Sequence, residues 1–234
     1  MLPLSDHNPS RTTPVVNYIL IATNVIFFLW ELSLGPGIER ELVLISFVPA
    51  RFWLAPFYPP NIFRILISMF LHAGWLHLGG NMLYLWIFGD NIEDRLGHFK
   101  YLVFYILCGT IATLAHAVAN PASTIPSLGA SGAIAGVLGA YILLYPRAQV
   151  KTLIPIVFFV IIRDIPAVVV LGLWFVLQLF VGVASVGVPE AQNGGGVAYF
   201  AHIGGFVAGM LLVVLMGGYR QKRLPPTMVD EPWR

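Results

Sequence analysis

Long apolar runs, interrupted by prolines, glycines and small clusters of charge, set the pattern of this chain. The first, Val15 to Leu34, is long enough to cross a bilayer, since about 20 residues at 1.5 Å each reach ~30 Å. Inside it Asn24 is expected to hydrogen-bond to another helix, and Glu31 sits near an end where it can reach water. From Gly35 to about Trp75 the chain stays apolar and aromatic, but Pro49, Pro56, Pro59 and Pro60 forbid one continuous helix. This stretch is expected to form an interfacial loop half in the headgroups, its unbroken piece Ile62 to Leu71 being too short to span. A second span runs from about Leu76 to Leu96 and overlaps a charged connector, Asp90 to Lys100; a third runs from Tyr101 to about Ala119 and stops at Asn120-Pro121.

The uncharged residues 121–129 lead into a fourth helix that ends at Tyr145-Pro146. At about 16 residues it reaches roughly 24 Å, so its first residues are expected below the membrane surface. The apolar piece Thr152 to Ile162, containing Pro155 and closed by Arg163-Asp164, is too short to span and is placed along the interface or at the bundle edge. A fifth span, Ile165 to Ala184, precedes a Gly-rich loop, Val186 to Gly196; a sixth, Val197 to Met216, closes with Gly217-Gly218 and a basic tail. The expected fold is an all-α membrane protein, a bundle of six transmembrane helices over residues 15–218. Short tails, 1–14 and 219–234, flank it.

Composition agrees: 58% of the 234 residues are hydrophobic and 10% charged, with a mean hydropathy of +0.81. A soluble domain carries about twice that charge. A net charge of +2 gives no basis for a nucleic-acid partner. The single cysteine, Cys108, excludes an internal disulfide. The first 14 residues lack a cleavable-signal pattern, so the first apolar run is expected to remain as an anchor. With six spans, ten of the 13 Lys and Arg fall on one side, and only Arg40, Arg51 and Arg64 fall opposite. The positive-inside rule then places both termini in the cytoplasm, and the second, fourth and sixth spans begin on the outer side.

Polar groups at those three beginnings are the candidate chemistry. Ser131 stands in Gly129-Ala-Ser-Gly132, where the uncharged loop becomes the fourth helix. Gly129 admits backbone conformations closed to other residues and a close approach of substrate. Gly132 and Gly136 lie four apart and let a neighbouring helix pack tightly. The first helical turn also offers unpaired N–H groups to developing negative charge. His77 and Asn81 lie one turn apart on one face of the second span, and His202 opens the sixth, followed by Gly205 and Gly209.

Locally, each group is as well explained by packing or interhelical hydrogen bonding, which is the preferred reading for His72 and His116. Together at one depth they are the parts of acyl transfer. Ser131 is the candidate nucleophile and His202 its base, while His77, Asn81 and the Ser131 N–H form an oxyanion hole. No carboxylate is placed to act as a third member, so a dyad is expected, with His202 oriented by packing. Metal binding by His72, His77 and His202 is disfavoured for lack of an acidic or thiol ligand. No cofactor is expected.

His77-Leu-Gly-Gly-Asn81, Gly129-Ala-Ser-Gly132 and Ala201-His202 with Gly205 and Gly209 resemble, in order and on the matching spans, the motifs of the rhomboid intramembrane serine proteases. The resemblance implies a six-helix fold and a water-filled cavity open to the outer side. It also implies hydrolysis of a peptide bond in or beside transmembrane segments of membrane proteins, within the lipid bilayer. Ser131 is then nucleophile and His202 base, with Gly129 and Gly132 against the substrate. Helix five and the loop above it are implied as a gate.

The chain departs from the family's pattern at Phe63-Arg64 where relatives carry Trp-Arg, at Ala135 where many carry an aromatic that stacks on the histidine, and at Val197 where a glycine is common. The alternatives are a catalytically inactive rhomboid-like protein that binds or escorts transmembrane helices, and a small transporter or channel. Both Ser131 and His202 are present, against the first; neither half-chain symmetry nor an intramembrane acidic residue supports the second. Short tails without a transit peptide suggest a bacterial cytoplasmic membrane.

Overall fold

The computed structural model describes residues 1–156, 159–185 and 198–219; the expected Gly-rich loop after the fifth span and the basic tail from residue 220 lie outside the described residues. The chain begins with strand β1 (Leu2–Asp6) and helix α1 (Val15–Ser33). Three short helices follow: α2 (Ile38–Ile45), α3 (Pro49–Leu54) and α4 (Pro59–Ser68). Next come α5 (Trp75–Leu96), α6 (His98–Ala119) and α7 (Ser131–Leu144). Strands β2 (Gln149–Ile156) and β3 (Phe159–Pro166) precede α8 (Ala167–Ala184) and α9 (Tyr199–Leu215).

Helices thus stand at each of the six expected spans. Among the described residues α1, α6 and α8 are long and apolar enough to cross a membrane unaided. The 14 residues of α7 and 17 of α9 are shorter, and α5 ends in the charged Asp90, Glu93, Asp94 and Arg95. Buried side chains from α5, α6, α7 and α9 form one core around Phe88, Tyr105, Leu138 and Phe206.

Two expectations fail on local structure. The stretch from 35 to 75 is not a loop, because Pro49 and Pro59 stand at the first positions of α3 and α4, where a missing N–H costs nothing and the fixed φ suits a helix. Side chains fasten this layer: Arg51 and Arg64 donate to the Val43 and Leu44 carbonyls at the end of α2, both at 2.9 Å, and Trp53 Nε1 donates to Ala117 O of α6. The all-α expectation also needs correction. The N-terminal tail and the apolar piece after α7 form a three-stranded antiparallel sheet in the order β1-β2-β3. The protein is mostly helical with a small sheet at the end of the bundle where α7 stops and α8 starts.

Buried polar groups join the helices. Glu31, expected to reach water, is buried, and its carboxylate accepts the His72 N–H at 3.1 and 3.2 Å. Asn24 donates to Leu20 O of its own helix, and its side chain also meets the Tyr105 hydroxyl of α6, across helices as expected. Glu93 reaches from α5 to accept the Val16 and Asn17 N–H groups at 2.9 and 2.7 Å, satisfying donors that the first turn of α1 leaves without intrahelical partners. Asn17 in turn donates to Leu85 O and accepts from Tyr101 Oη, tying α1, α5 and α6 into one polar knot.

At the centre, α7 presses on α9 through glycines. A Cβ at Gly205 would collide with the Gly132 carbonyl, one at Gly209 with the Gly136 carbonyl, and one at Gly139 with the Phe206 carbonyl. Only backbones without side chains reach this separation, and the gain is dispersion contact along the whole crossing. The crossing also sets the distance between the first turns of α7 and α9.

Candidate active site

Those first turns bring Ser131 and His202 together. His202 Nε2 lies 2.8 Å from Ser131 Oγ, and on its other side Nδ1 lies 2.7 Å from Gln178 Oε1 of α8. An amide oxygen only accepts, so Nδ1 carries the proton and Nε2 is left with its lone pair facing the serine hydroxyl. Ser131 O–H is the donor of the 2.8 Å bond. Trp174, one helical turn before Gln178, lays its ring against the imidazole at a centroid distance of 5.7 Å and 38°. His202 therefore has a hydrogen-bonded neighbour as well as a packing one, and both come from α8. Sequence reasoning missed Gln178, although a glutamine inside an apolar span is itself a signal. Trp174, and not the fully buried Ala135, supplies the ring beside the imidazole.

The loop before Ser131 is held from below by the short-helix layer. Ser127 N–H donates to Phe47 O at 2.8 Å, Gly129 N–H to Ser68 O at 2.8 Å, and Phe47 N–H to Ser68 Oγ at 2.6 Å. Gly129 has φ +123°, and a Cβ there would stand 2.8 Å from the His77 ring. Both facts require glycine at this position. Gly132 instead sits in the helix contact, where a Cβ would meet Ala112 Cβ at 2.7 Å.

His77 and Asn81 face the same space from α5. Ala73 N–H approaches His77 Nδ1 at 3.4 Å, an acceptor role that leaves the proton on Nε2, the atom beside Gly129. Asn81 is buried, and its Nδ2 has no hydrogen-bond partner among the described residues. A buried amide donor without a partner is costly in a purely structural setting. The residue Asn81 lines a cavity of about 390 Å³, together with His77, Ser131, His202, Ala135 and Trp174. His72 packs edge-on against His77 at 5.1 Å and His116 pairs with Asn120 of its own helix end; neither lines the cavity. A hydroxyl hydrogen-bonded to an imidazole, with further polar groups lining the same cavity, is an arrangement of the kind that supports attack on a carbonyl.

Residues 59–219 match the rhomboid domain. The chain is 33% identical over 199 residues to Rhomboid protein 1, mitochondrial, of Saccharomyces cerevisiae, covering 83% of this chain and 51% of that protein. It is 30% identical over 212 residues to Rhomboid protease GluP of Bacillus subtilis, covering 87% of this chain and 35% of that protein. Rhomboid-like protein 11, chloroplastic, of Arabidopsis thaliana is 26% identical over 201 residues, covering 84% of this chain and 66% of that protein. The chain belongs to the rhomboid family of membrane-embedded proteins, and it spans about half the length of the yeast relative and about a third of the Bacillus one.

Proposed function

We propose that this chain is an intramembrane serine endopeptidase that cleaves a peptide bond in or next to transmembrane segments of membrane proteins. The observation that carries the reading is the relay Ser131 Oγ, His202 Nε2, His202 Nδ1, Gln178 Oε1, with links of 2.8 and 2.7 Å. Ser131 attacks the substrate carbonyl while His202 Nε2 takes its proton; the imidazolium then gives that proton to the leaving amine. Gln178 acts through His202 as a positioning residue, its Oε1 accepting the hydrogen bond from Nδ1–H throughout both steps. The carbonyl oxygen, now an oxyanion, receives hydrogen bonds from His77 Nε2–H, Asn81 Nδ2 and the Ser131 N–H, the last in the first turn of α7, where N–H groups lack intrahelical partners. Water enters the cavity to hydrolyse the acyl-enzyme by the same route in reverse.

In this reading residues 15–218 form the protease domain, α1, α5, α6, α7, α8 and α9 are its six spans, and Gly129 lets the substrate backbone approach Ser131. The excess of Lys and Arg at the ends away from Ser131 supports cytoplasmic termini and a site near the outer face of a bacterial cytoplasmic membrane. The test is proteolysis in liposomes that hold this chain with a panel of epitope-tagged single-span proteins. Cleavage within or beside the span, absent in Ser131→Ala, is expected. No cleavage of any panel member, alongside capture of intact spans, would instead make the chain a helix-binding member of the family.

A further inference from the structure

The sheet at the far end of the bundle carries an apolar surface that the proteolytic site does not use. Along β2 the side chains of Val150 and Thr152 are fully buried against the bundle. Because side chains alternate, Ile154 and Ile156 continue the same face. Their cross-strand partners, Ile161 and Phe159 on β3, share it too. Yet cover stops there: Ile156, Phe159 and Ile161 are 46%, 76% and 38% exposed. A strand whose bundle-side residues are buried at 150 and 152 and uncovered at 156 has run past the edge of the bundle.

Beyond that edge the opposite face is apolar as well, with Leu153, Pro155, Val160 and Ile162. Nearer the bundle the opposite face is polar, with Gln149, Lys151 and Asp164, and His7 of the loop after β1 pairs with Asp164 at 3.2 Å. β1 pairs with β2 only as far as Leu153, so the outer part is a two-stranded ribbon. Such a ribbon is marginal in water even with one good apolar face, and two uncovered apolar faces make water the wrong medium for it. Its outer strand runs into α8, whose Val168, Val169, Leu173 and Val176 are exposed on a helix apolar enough to span. The ribbon therefore begins where a lipid-facing surface begins.

We propose that the β2–β3 ribbon beds into the leaflet on the side where α7 ends, with Ile154, Ile156, Phe159 and Ile161 toward the acyl chains and Arg163 and Lys151 at the phosphate headgroups. Open strand edges are excluded from the hydrocarbon interior, where nothing satisfies their N–H and C=O groups. The depth is therefore the boundary between headgroups and acyl chains, where water still reaches the edge. There the ribbon fixes the start of α8, the helix that carries Trp174 and Gln178 to His202.

The test is site-directed spin labelling of the full chain in phosphatidylethanolamine–phosphatidylglycerol liposomes. The native Cys108 is buried, so label goes to an introduced cysteine. At Phe159→Cys and, should that variant fold poorly, Ile156→Cys, collisions with oxygen are expected to exceed those with an aqueous nickel chelate. At Lys151→Cys the order is expected to reverse. Aqueous exposure at 159 and 156 would overturn the proposal. Strong spin–spin broadening at 159 that vanishes on dilution with unlabelled protein would overturn it in favour of pairing between copies.

Discussion

Gln178→Leu is the substitution that most sharply separates a relay from a packed dyad. Leucine keeps nearly the same volume beside Trp174, so packing of α8 against His202 survives while the acceptor for Nδ1–H is lost. In the imidazolium formed during attack that proton has no other partner among the described residues, and a buried donor left unpaired costs about 1–3 kcal/mol. With tenfold in rate per 1.36 kcal/mol, kcat falls about 5- to 150-fold while KM changes little, because no substrate contact is removed. The assay is cleavage of a transmembrane peptide that the wild type accepts, in proteoliposomes, with kcat and KM separated. Gln178→Glu, which keeps an acceptor oxygen, should retain far more activity than the leucine variant. Imidazole nitrogen NMR adds a readout that a structural role would not move: the wild type shows the Nδ1–H form and Gln178→Leu a mixture of tautomers. A leucine variant within twofold of wild-type kcat and with an unchanged tautomer would refute the positioning role.

Asn81→Ala is expected to lower kcat about 10²- to 10³-fold without lowering the melting temperature, since Asn81 Nδ2 holds no other group among the described residues. Gly209→Val drives a side chain into the Gly136 carbonyl and should cost about 1–3 kcal/mol or more, seen as a lower melting temperature, whereas Gly79→Ala, with open space around it, should not destabilise. Burial lifts Asp6 from 3.8 to about 6, against the opposing hydrogen bond from Tyr141. Because the folded value is the raised one, this stabilisation is full below about pH 3.8 and is lost as pH rises through about 6. Amide exchange in β1 should accelerate across that window, and Asp6→Asn should remove the dependence.

The meeting of Ser131 and His202 was legible because the candidate motifs pair polar side chains with glycines that set the helix contacts, as Gly205 and Gly209 hold the helix of His202 against α7. Apolar length located the six helices α1, α5, α6, α7, α8 and α9, three of which are long and apolar enough to span. The sheet escaped because the period-2 signal needs one polar face, and β3 reads Phe-Val-Ile-Ile with none. Short helices in the 35–75 stretch escaped because proline breaks a helix it interrupts but starts one it precedes, and a sequence does not say which turn Pro49 or Pro59 occupies. Glu31 was placed near water from its distance along α1; its actual partner, the His72 N–H, is 41 residues away and set by tertiary packing. Gln178 and Trp174 were visible as a polar and an aromatic group four apart. Their target lies on another helix, and nothing in the spacing names it.

The central claim, an activated Ser131 dependent on His202, is tested most directly by fluorescent fluorophosphonate labelling of the purified protein in lipid, which needs no substrate. The wild type is expected to label at Ser131, and folded Ser131→Ala and His202→Ala variants are expected to lose the signal. A folded wild type that does not label in lipid, or labelling that persists in Ser131→Ala, would contradict the claim.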